Sequence, residues 1–182
     1  MVTTADDLGW LPGYHHAPSP NHDARPDGTS VILLVVHSIS LPPGHYGGGA
    51  VERFFLNHLD TAEHPYFQSI ATLRVSAHFF VTRDGVVTQF VSCSDRAWHA
   101  GISCWRGRRR CNDFSIGIEL EGGENEPFTE VQYAALARLA RDLTARYPIE
   151  EIVGHADIAP GRKTDPGPHF DWGKLRALFA VA

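Results

Sequence analysis

The sequence of 182 residues has the length of one ordinary domain, and we expect a single domain over residues 1–182 with its core at about 18–179. The net charge of −5 is spread without long blocks of like charge, which argues against nucleic acid or an anionic membrane surface as a partner. The three cysteines are odd in number and too few for a disulfide-stapled secreted domain, so we expect free thiols.

The start of the sequence lacks the pattern of a secretory signal peptide. Asp6 and Asp7 stand where such a signal carries basic residues before an apolar run. Nowhere does the sequence contain the roughly 18 consecutive apolar residues of a transmembrane helix. We therefore expect a cytoplasmic protein that has no membrane partner.

The first predicted core element is a strand over residues 31–36. Residues 11–30 are rich in Pro, Gly, Asn and Asp and predict irregular chain on the surface. The β-branched apolar run that follows is typical of a strand buried on both faces, and it places His37 at its carboxyl end. After a Pro/Gly-rich loop, apolar residues at helical spacing predict a helix over residues 50–58.

Two further patterns predict strands in the middle of the chain. Residues 75–82 and 86–91 are rich in β-formers and flank an Asp-Gly turn, which predicts a hairpin. Residues 115–121 alternate between apolar and polar or small side chains. Gly117 and Glu119 therefore lie on the polar face of this strand.

Helices and one short strand alternate in the last third of the chain. Thr129 and Gln132 have the spacing of a capping box and begin a predicted helix. Residues 150–154 predict a short strand that leads directly to His155, and Asp171 caps a last helix. Strands interleaved with helices predict an α/β (α+β) fold, in which a central mixed β-sheet is flanked by helices.

Two histidines at predicted strand ends and one aspartate form a candidate metal site. His37 and His155 each follow a strand, and Asp165 comes ten residues after His155 in a turn-rich loop. Two imidazoles and one carboxylate are typical of a catalytic zinc site, which leaves a fourth position for water. The sequence contains 11 histidines, so this spacing also arises by chance, and ordinary core or capping histidines remain an alternative.

Glu119 and Lys163 are the candidate catalytic side chains. Gly117, two residues before Glu119, leaves space for a ligand beside this candidate general base. Lys163 is two residues from Asp165, where an ammonium group stabilises a developing oxyanion. The alternative for Glu119 is an ordinary position on a solvated strand face, which Glu121 illustrates. The alternative for Lys163 is an ordinary surface charge.

Three weaker signals each have an ordinary explanation. The basic run 106–110 lacks interleaved aromatic residues, so it is a poor nucleic-acid footprint and suits the carboxylates of a small ligand at least as well. Cys104 and Cys111 have no second cysteine pair, and we expect plain thiols. Trp98 and the pair 66–67 either line a groove or pack in the core.

Taken together, the motifs resemble one family over most of the chain, from about Pro18 to Phe179. The family is that of the AmpD-type 1,6-anhydro-N-acetylmuramoyl-L-alanine amidases, within the zinc amidase and peptidoglycan recognition protein superfamily. The motifs that carry the resemblance are His37 after its strand and residues 75–80, 83–85, 98–101, 112–122, 154–160 and 162–168.

The resemblance implies a fold and a set of site residues. The implied fold is that of peptidoglycan recognition proteins, a central mixed sheet flanked by helices with zinc in a groove on one face. By position in the motifs, His37, His155 and Asp165 would bind one Zn²⁺ per chain. Glu119 would accept the proton, and Lys163 would stabilise the transition state.

The resemblance also implies a substrate, the small-molecule muropeptides of cytoplasmic peptidoglycan recycling. The bond cut would join 1,6-anhydro-N-acetylmuramic acid to L-alanine, and loss of these muropeptides would lower the signal that induces β-lactamase. Arg74 and Arg110 are candidate clamps for the carboxylates of the stem peptide, and Trp98 is a candidate wall of the groove. Ser38 stands where this branch is expected to have Asn.

Two alternative functions follow from the same motifs. One is an amidase of broader specificity that acts on intact murein, for which an export signal or a wall-binding extension would be expected. The other is a non-catalytic muropeptide-binding module, which would have lost a metal ligand or Glu119. The sequence shows neither an export signal or wall-binding extension nor the loss of a metal ligand or of Glu119. We therefore favour the recycling amidase and expect it to be a monomer.

Overall fold

The computed structural model describes residues 9–180, which contain both strands and helices. The strands are β1 (His15–His16), β2 (His22–Ala24), β3 (Leu33–Ile39), β4 (Phe79–Val81), β5 (Val87–Gln89), β6 (Asp95–Ala97), β7 (Cys104–Trp105), β8 (Arg108–Arg109), β9 (Ser115–Glu121) and β10 (Glu151–Gly154). The helices are α1 (Ala50–Phe55), α2 (Pro65–Ile70), α3 (Glu130–Thr144), α4 (His155–Ile158) and α5 (Trp172–Ala180).

A mixed sheet forms the centre of the described chain, with strand order β1-β5-β4-β9-β3-β10. β9 pairs in parallel with β3 on one side and with β4 on the other, and β10 joins β3 in parallel. β4 and β5 are antiparallel. The predicted α/β fold with a central mixed sheet flanked by helices is confirmed.

The two faces of the sheet are covered differently. α3 and α5 pack on the face that carries Leu34, and they bury the largest apolar cluster there. Leu33 and Val35 lie on the other face, under α4 and the segment that precedes β9. Because side chains alternate along a strand, His37 shares the face of Leu33 and Val35. The candidate site therefore lies on the face opposite α3.

The first predicted strand and helix are confirmed with shifted ends. β3 continues beyond the predicted residues 31–36, so His37 lies within the strand and pairs with Glu119 of β9, whereas the pairing with β10 ends at Val36. The helix predicted over residues 50–58 ends at Phe55. Asn57 has a φ of 60°, a left-handed conformation that helical continuation does not allow.

The hairpin and the helix caps are also confirmed. β4 and β5 form the predicted antiparallel pair. Thr129 and Gln132 make both bonds of the capping box that begins α3, and Asp171 accepts a hydrogen bond from the backbone of Lys174 at the start of α5. Among the helices of residues 9–180, none has the length and the apolar character needed to span a bilayer.

Several short elements have no counterpart in the prediction, among them β1, β2 and α2. The predicted irregular region 11–30 contains β1 and β2, which pair with β5 and β6. Strands of two or three residues depend on their distant partners, so local sequence does not reveal them. α2 begins with Pro65 at its first position and with the ring nitrogen Nδ1 of His64 accepting from the backbone of Tyr66.

The expectation that Glu121 illustrates a solvated strand face is wrong. β9 is a central strand, and Glu121 is only 5 % exposed. Its Oε1 accepts from the backbone nitrogen of Gly47 at 2.5 Å, and its Oε2 accepts from that of Arg83 at 2.9 Å. Glu121 therefore joins two loops to the end of β9.

Candidate metal centre and active site

Three candidate ligand atoms meet at the edge of the sheet where β3 and β10 end. Nδ1 of His37 lies 3.0 Å from Nδ1 of His155, and Oδ2 of Asp165 lies 3.1 Å from each nitrogen. The parallel pairing aligns Val36 with Gly154, the residues that immediately precede the two histidines. The register of β3 and β10 therefore brings both imidazoles together, and Asp165 joins them from the loop after α4.

The chemistry of this cluster suits a cation. A carbonyl only accepts, so Nε2 of His155 donates to the Ala100 carbonyl at 3.1 Å, and Nδ1 of His155 faces His37 and Asp165. Burial lowers the pKa of His37 to about 4, so this ring is neutral at neutral pH. Burial raises the pKa of Asp165, but interactions with His155 and His37 outweigh that effect and lower it. Two imidazoles and an anionic carboxylate fit a catalytic zinc ion.

Glu119 lies beside this cluster on β9. The β3–β9 register places Glu119 opposite His37, and its Oε1 is 4.0 Å from Nδ1 of His37. Within residues 9–180 no group donates a hydrogen bond to the buried Oε2. Burial raises the pKa of Glu119 well above its usual value, Asp165 raises it further, and Lys163 opposes both. A buried carboxylate with one oxygen left without a partner is suited to accept a proton.

Lys163 and Trp98 line the same groove as Glu119. The groove has a volume of about 330 Å³, and it extends from His155, one of the three candidate ligands, along a wall that contains several apolar side chains. Trp98 is held by its indole nitrogen, which donates to Asp23 at 3.1 Å. Ser38 also lines the groove. The apolar wall includes Leu41, Phe54, Tyr66, Ile70 and Leu73.

Arg74 and Arg110 are not among the described residues that line the groove. The Arg74 guanidinium donates to the carbonyls of Ala71 and Leu73, both at 3.0 Å. Arg110 forms an ion pair with Asp113 at 3.2 Å. Their predicted role as clamps for substrate carboxylates stays a prediction.

His99 is a site residue to which the sequence alone assigns no role. Its ring packs against the backbone of Gly117, where an added Cβ would lie 2.4 Å from Cγ of His99. The space at Gly117 therefore holds a histidine ring, and the interpretation that it admits a ligand is wrong. Burial, together with His37 and His78, lowers the pKa of His99 well below its usual value, so the ring is neutral. The only available signal is its place in the motif 98–101.

The weaker sequence signals have ordinary structural explanations. Phe67 is buried in the core, whereas its neighbour Tyr66 lines the groove. In the basic run, Arg106 forms ion pairs with Glu150 and Glu151. The three cysteines are free thiols, as expected.

A mixed sheet that carries a His-His-Asp cluster next to a groove lined by a carboxylate is typical of metal-dependent hydrolases. The family model described as N-acetylmuramoyl-L-alanine amidase matches residues 27–168. The chain therefore belongs to the N-acetylmuramoyl-L-alanine amidase family, and the family prediction is confirmed.

Individual relatives are similar over nearly the whole chain. The 1,6-anhydro-N-acetylmuramyl-L-alanine amidase AmpD of Salmonella typhimurium is 52 % identical over 178 residues, which are 97 % of this chain and 95 % of the relative. A crystal structure of a selenomethionine derivative of AmpD superposes with a TM-score of 0.91 at 53 % identity, over 94 % of this chain and 97 % of that one.

A third relative is more distant and was solved with a ligand. It is the N-acetylmuramyl-L-alanine amidase AmiD from E. coli, in complex with the substrate anhydro-N-acetylmuramic acid-L-Ala-D-γ-Glu-L-Lys. It superposes with a TM-score of 0.59 at 34 % identity, and the match covers 89 % of this chain and 59 % of that one.

Proposed function

We propose that this protein hydrolyses the amide that joins 1,6-anhydro-N-acetylmuramic acid to L-alanine of the stem peptide. The observation that carries the proposal is the meeting of His37, His155 and Asp165 beside the carboxylate of Glu119, which lines a groove together with His155. The name of the Salmonella relative states this activity, and the AmiD complex contains a substrate of the same class.

We propose that Nδ1 of His37, Nδ1 of His155 and Oδ2 of Asp165 bind one Zn²⁺ per chain. When bound, zinc supplies a Lewis acid that polarises the amide carbonyl and makes water a nucleophile at neutral pH. The outer nitrogen of His155 is held by the Ala100 carbonyl, which fixes the orientation of that ring.

Glu119 is the proposed general base. Its partnerless Oε2 takes a proton from the water that adds to the amide carbon. When the carbon–nitrogen bond breaks, the same oxygen returns the proton to the leaving amine of L-alanine. The pKa of Glu119, raised by burial, makes the carboxylate a stronger base than an exposed glutamate.

The remaining proposed roles concern charge and binding. Lys163 lines the groove, and its ammonium group stabilises the oxyanion that forms when water adds to the carbonyl. Trp98 packs against the substrate from the groove wall. Arg74 and Arg110 pair with the carboxylates of the stem peptide. To do so, each guanidinium gives up the partners that it has in this structure.

We further propose that the enzyme acts as a monomer in the cytoplasm, on muropeptides that arise in peptidoglycan recycling. The name of the AmpD relatives, 1,6-anhydro-N-acetylmuramyl-L-alanine amidase, supports the muropeptide substrate. Neither nucleic acid nor membrane is a partner in this proposal. Removal of anhydromuropeptides lowers the signal that induces β-lactamase in bacteria that have such a circuit.

The test is mass spectrometry of the products formed from an anhydromuramoyl-tripeptide, with and without a chelator. We expect one zinc per chain, release of free tripeptide, and loss of turnover on chelation that added zinc restores. Unchanged turnover by the metal-free protein would contradict the zinc assignment.

The same assay separates the alternative functions. Faster release of peptide from intact murein than from the anhydro-ended fragment would indicate an amidase of broader specificity. Binding of the anhydromuramoyl-tripeptide without any hydrolysis would indicate a non-catalytic muropeptide-binding module.

A further inference from the structure

The outer nitrogen of His37 begins a short chain of polar contacts that leads away from the candidate metal site. Nε2 of His37 lies 2.9 Å from Nδ1 of His99. Nε2 of His99 lies 3.2 Å from Oγ of Ser115, and that hydroxyl donates to the carbonyl of Cys111 at 2.6 Å. These contacts join four residues one after another, and the series ends at the backbone carbonyl of Cys111.

The carbonyl sets the direction of every hydrogen bond in this chain. It only accepts, so Ser115 uses its single hydroxyl hydrogen there and must accept from Nε2 of His99. With its proton on Nε2, the His99 ring has a lone pair on Nδ1, which accepts from Nε2 of His37. The proton of His37 therefore lies on Nε2, and the lone pair of its Nδ1 faces His155 and Asp165.

We propose that His99 and Ser115 are positioning residues that hold His37 in the tautomer with its proton on Nε2. The inference rests on the proposed metal site, because the free lone pair on Nδ1 is what a metal ion would use. The two candidate ligands are thus oriented by different means. His155 donates directly to the Ala100 carbonyl, whereas His37 reaches a carbonyl only through two intervening side chains.

The packing around His99 fixes the position and the orientation of its ring. Gly117 lies beneath the ring, and a Cβ there would overlap it. From the other side, Oδ1 of Asn112 accepts from the backbone nitrogens of His99 and Ala100 at 3.2 and 2.8 Å. The ring is therefore fixed by its own backbone and by the strand below it, and its two nitrogens stay aligned with His37 and Ser115.

The first measurement is the tautomer of His37 in the metal-free protein labelled with ¹⁵N-histidine. Two-bond ¹H–¹⁵N correlation spectra distinguish the two tautomers, and loss of signals in His37→Ala assigns the residue. We expect the Nε2–H form in the wild type. A His37 ring protonated on Nδ1 in the wild type would overturn the proposal, and this spectrum decides the matter without metal, substrate or any other variant.

The second measurement is zinc affinity by competition with a chromophoric chelator. Ser115→Ala and His99→Phe should mix the tautomers of His37 and weaken zinc binding by about 10- to 100-fold. His99→Gln, which keeps an acceptor and a donor side by side, should restore part of the affinity. Ser103→Ala is the control, because it removes a buried hydroxyl that binds the backbone of Cys111 and does not touch His99.

Three outcomes have different meanings. A single His37 tautomer and unchanged zinc affinity in both Ser115→Ala and His99→Phe would overturn the positioning role. Equal losses in Ser103→Ala would also overturn it, because they would show a general packing effect. A wild-type protein that binds zinc through the Nε2–H tautomer but does not hydrolyse anhydromuropeptides would refute the proposed function and support the positioning role.

Discussion

His37 and Glu119 lie opposite each other on the paired strands β3 and β9, with Nδ1 and Oε1 4.0 Å apart. Two central strands that run in parallel therefore carry a candidate metal ligand and a candidate base to the same position. Because the backbones of both residues belong to the sheet, their separation is set by strand register. This relationship makes separate tests of metal binding and of proton transfer possible.

Replacement of Glu119 should separate these two functions. We expect Glu119→Gln to keep about one zinc per chain and to lower kcat by about 10²- to 10⁴-fold, because the amide cannot accept the proton from water. Metal analysis and the rate of tripeptide release measure the two quantities on the same sample. A rate near that of the wild type would show that another group is the base.

Asp165→Ala, in contrast to Glu119→Gln, should lose zinc. The two imidazoles alone lack the anionic oxygen that completes the donor set. Asp157→Asn is a matched control on the neighbouring helix α4, since the Asn oxygen can still accept from the backbone of Gly154. Competition with a chelator should show weak binding only for Asp165→Ala. Equal zinc affinity in the two variants would remove Asp165 from the ligand set.

Zinc should raise the thermal stability of the wild-type protein. A ligand that binds only the native state adds about 2.7 kcal/mol when its free concentration is roughly 100-fold above Kd. For a chain of this size that corresponds to an increase in Tm of roughly 5–10 °C. Calorimetry of the metal-free protein with and without zinc measures the shift. A shift of the same size in Asp165→Ala would place the binding elsewhere.

Glu121→Ala should destabilise the fold and leave the chemistry of the site in place. The variant leaves the backbone nitrogens of Gly47 and Arg83 without their acceptor, at about 1–3 kcal/mol for each donor. Glu126→Ala is the control, because its exposed ion pair with Arg83 should contribute less than about 1 kcal/mol. Urea denaturation gives the free energy of unfolding. Equal losses in the two variants would contradict the structural role of Glu121.

Gly117→Ala should destabilise the protein through its contact with His99. The new methyl group would overlap the imidazole, and such overpacking costs about 1–3 kcal/mol. In a His99→Ala background the ring is absent, so the same change should cost much less, with a coupling energy of about 0.5–3 kcal/mol. A double-mutant cycle measured by urea denaturation provides the test. Strict additivity would show that the two residues do not interact.

The sequence was sufficient to predict the features that depend on local pattern. The buried strand before His37 is visible as an apolar run, the short strand before His155 is also predicted, and the position of Asp165 follows from its motif. Parallel pairing of β3 and β10 then brings the three side chains together. The capping box of α3 is equally local, because both of its partners lie within one helical turn.

The features that the sequence could not predict depend on distant contacts. Glu121 looks like a solvated residue until two loops, far away in sequence, donate to it. The space above Gly117 looks open until the loop that carries His99 closes over it. Alternation along β9 describes which side a residue faces, and only the tertiary fold determines what covers that side.

A single carboxamide, that of Asn112, supports both imidazoles of the candidate metal centre. Its oxygen holds the backbone nitrogens of His99 and Ala100, and these consecutive residues bind the outer nitrogens of His37 and His155. A displacement of this loop would therefore turn both rings together. Transfer of the site to another scaffold would require this loop as well as the two strand ends and the loop that carries Asp165, since the strand ends place the two histidines but do not orient their rings.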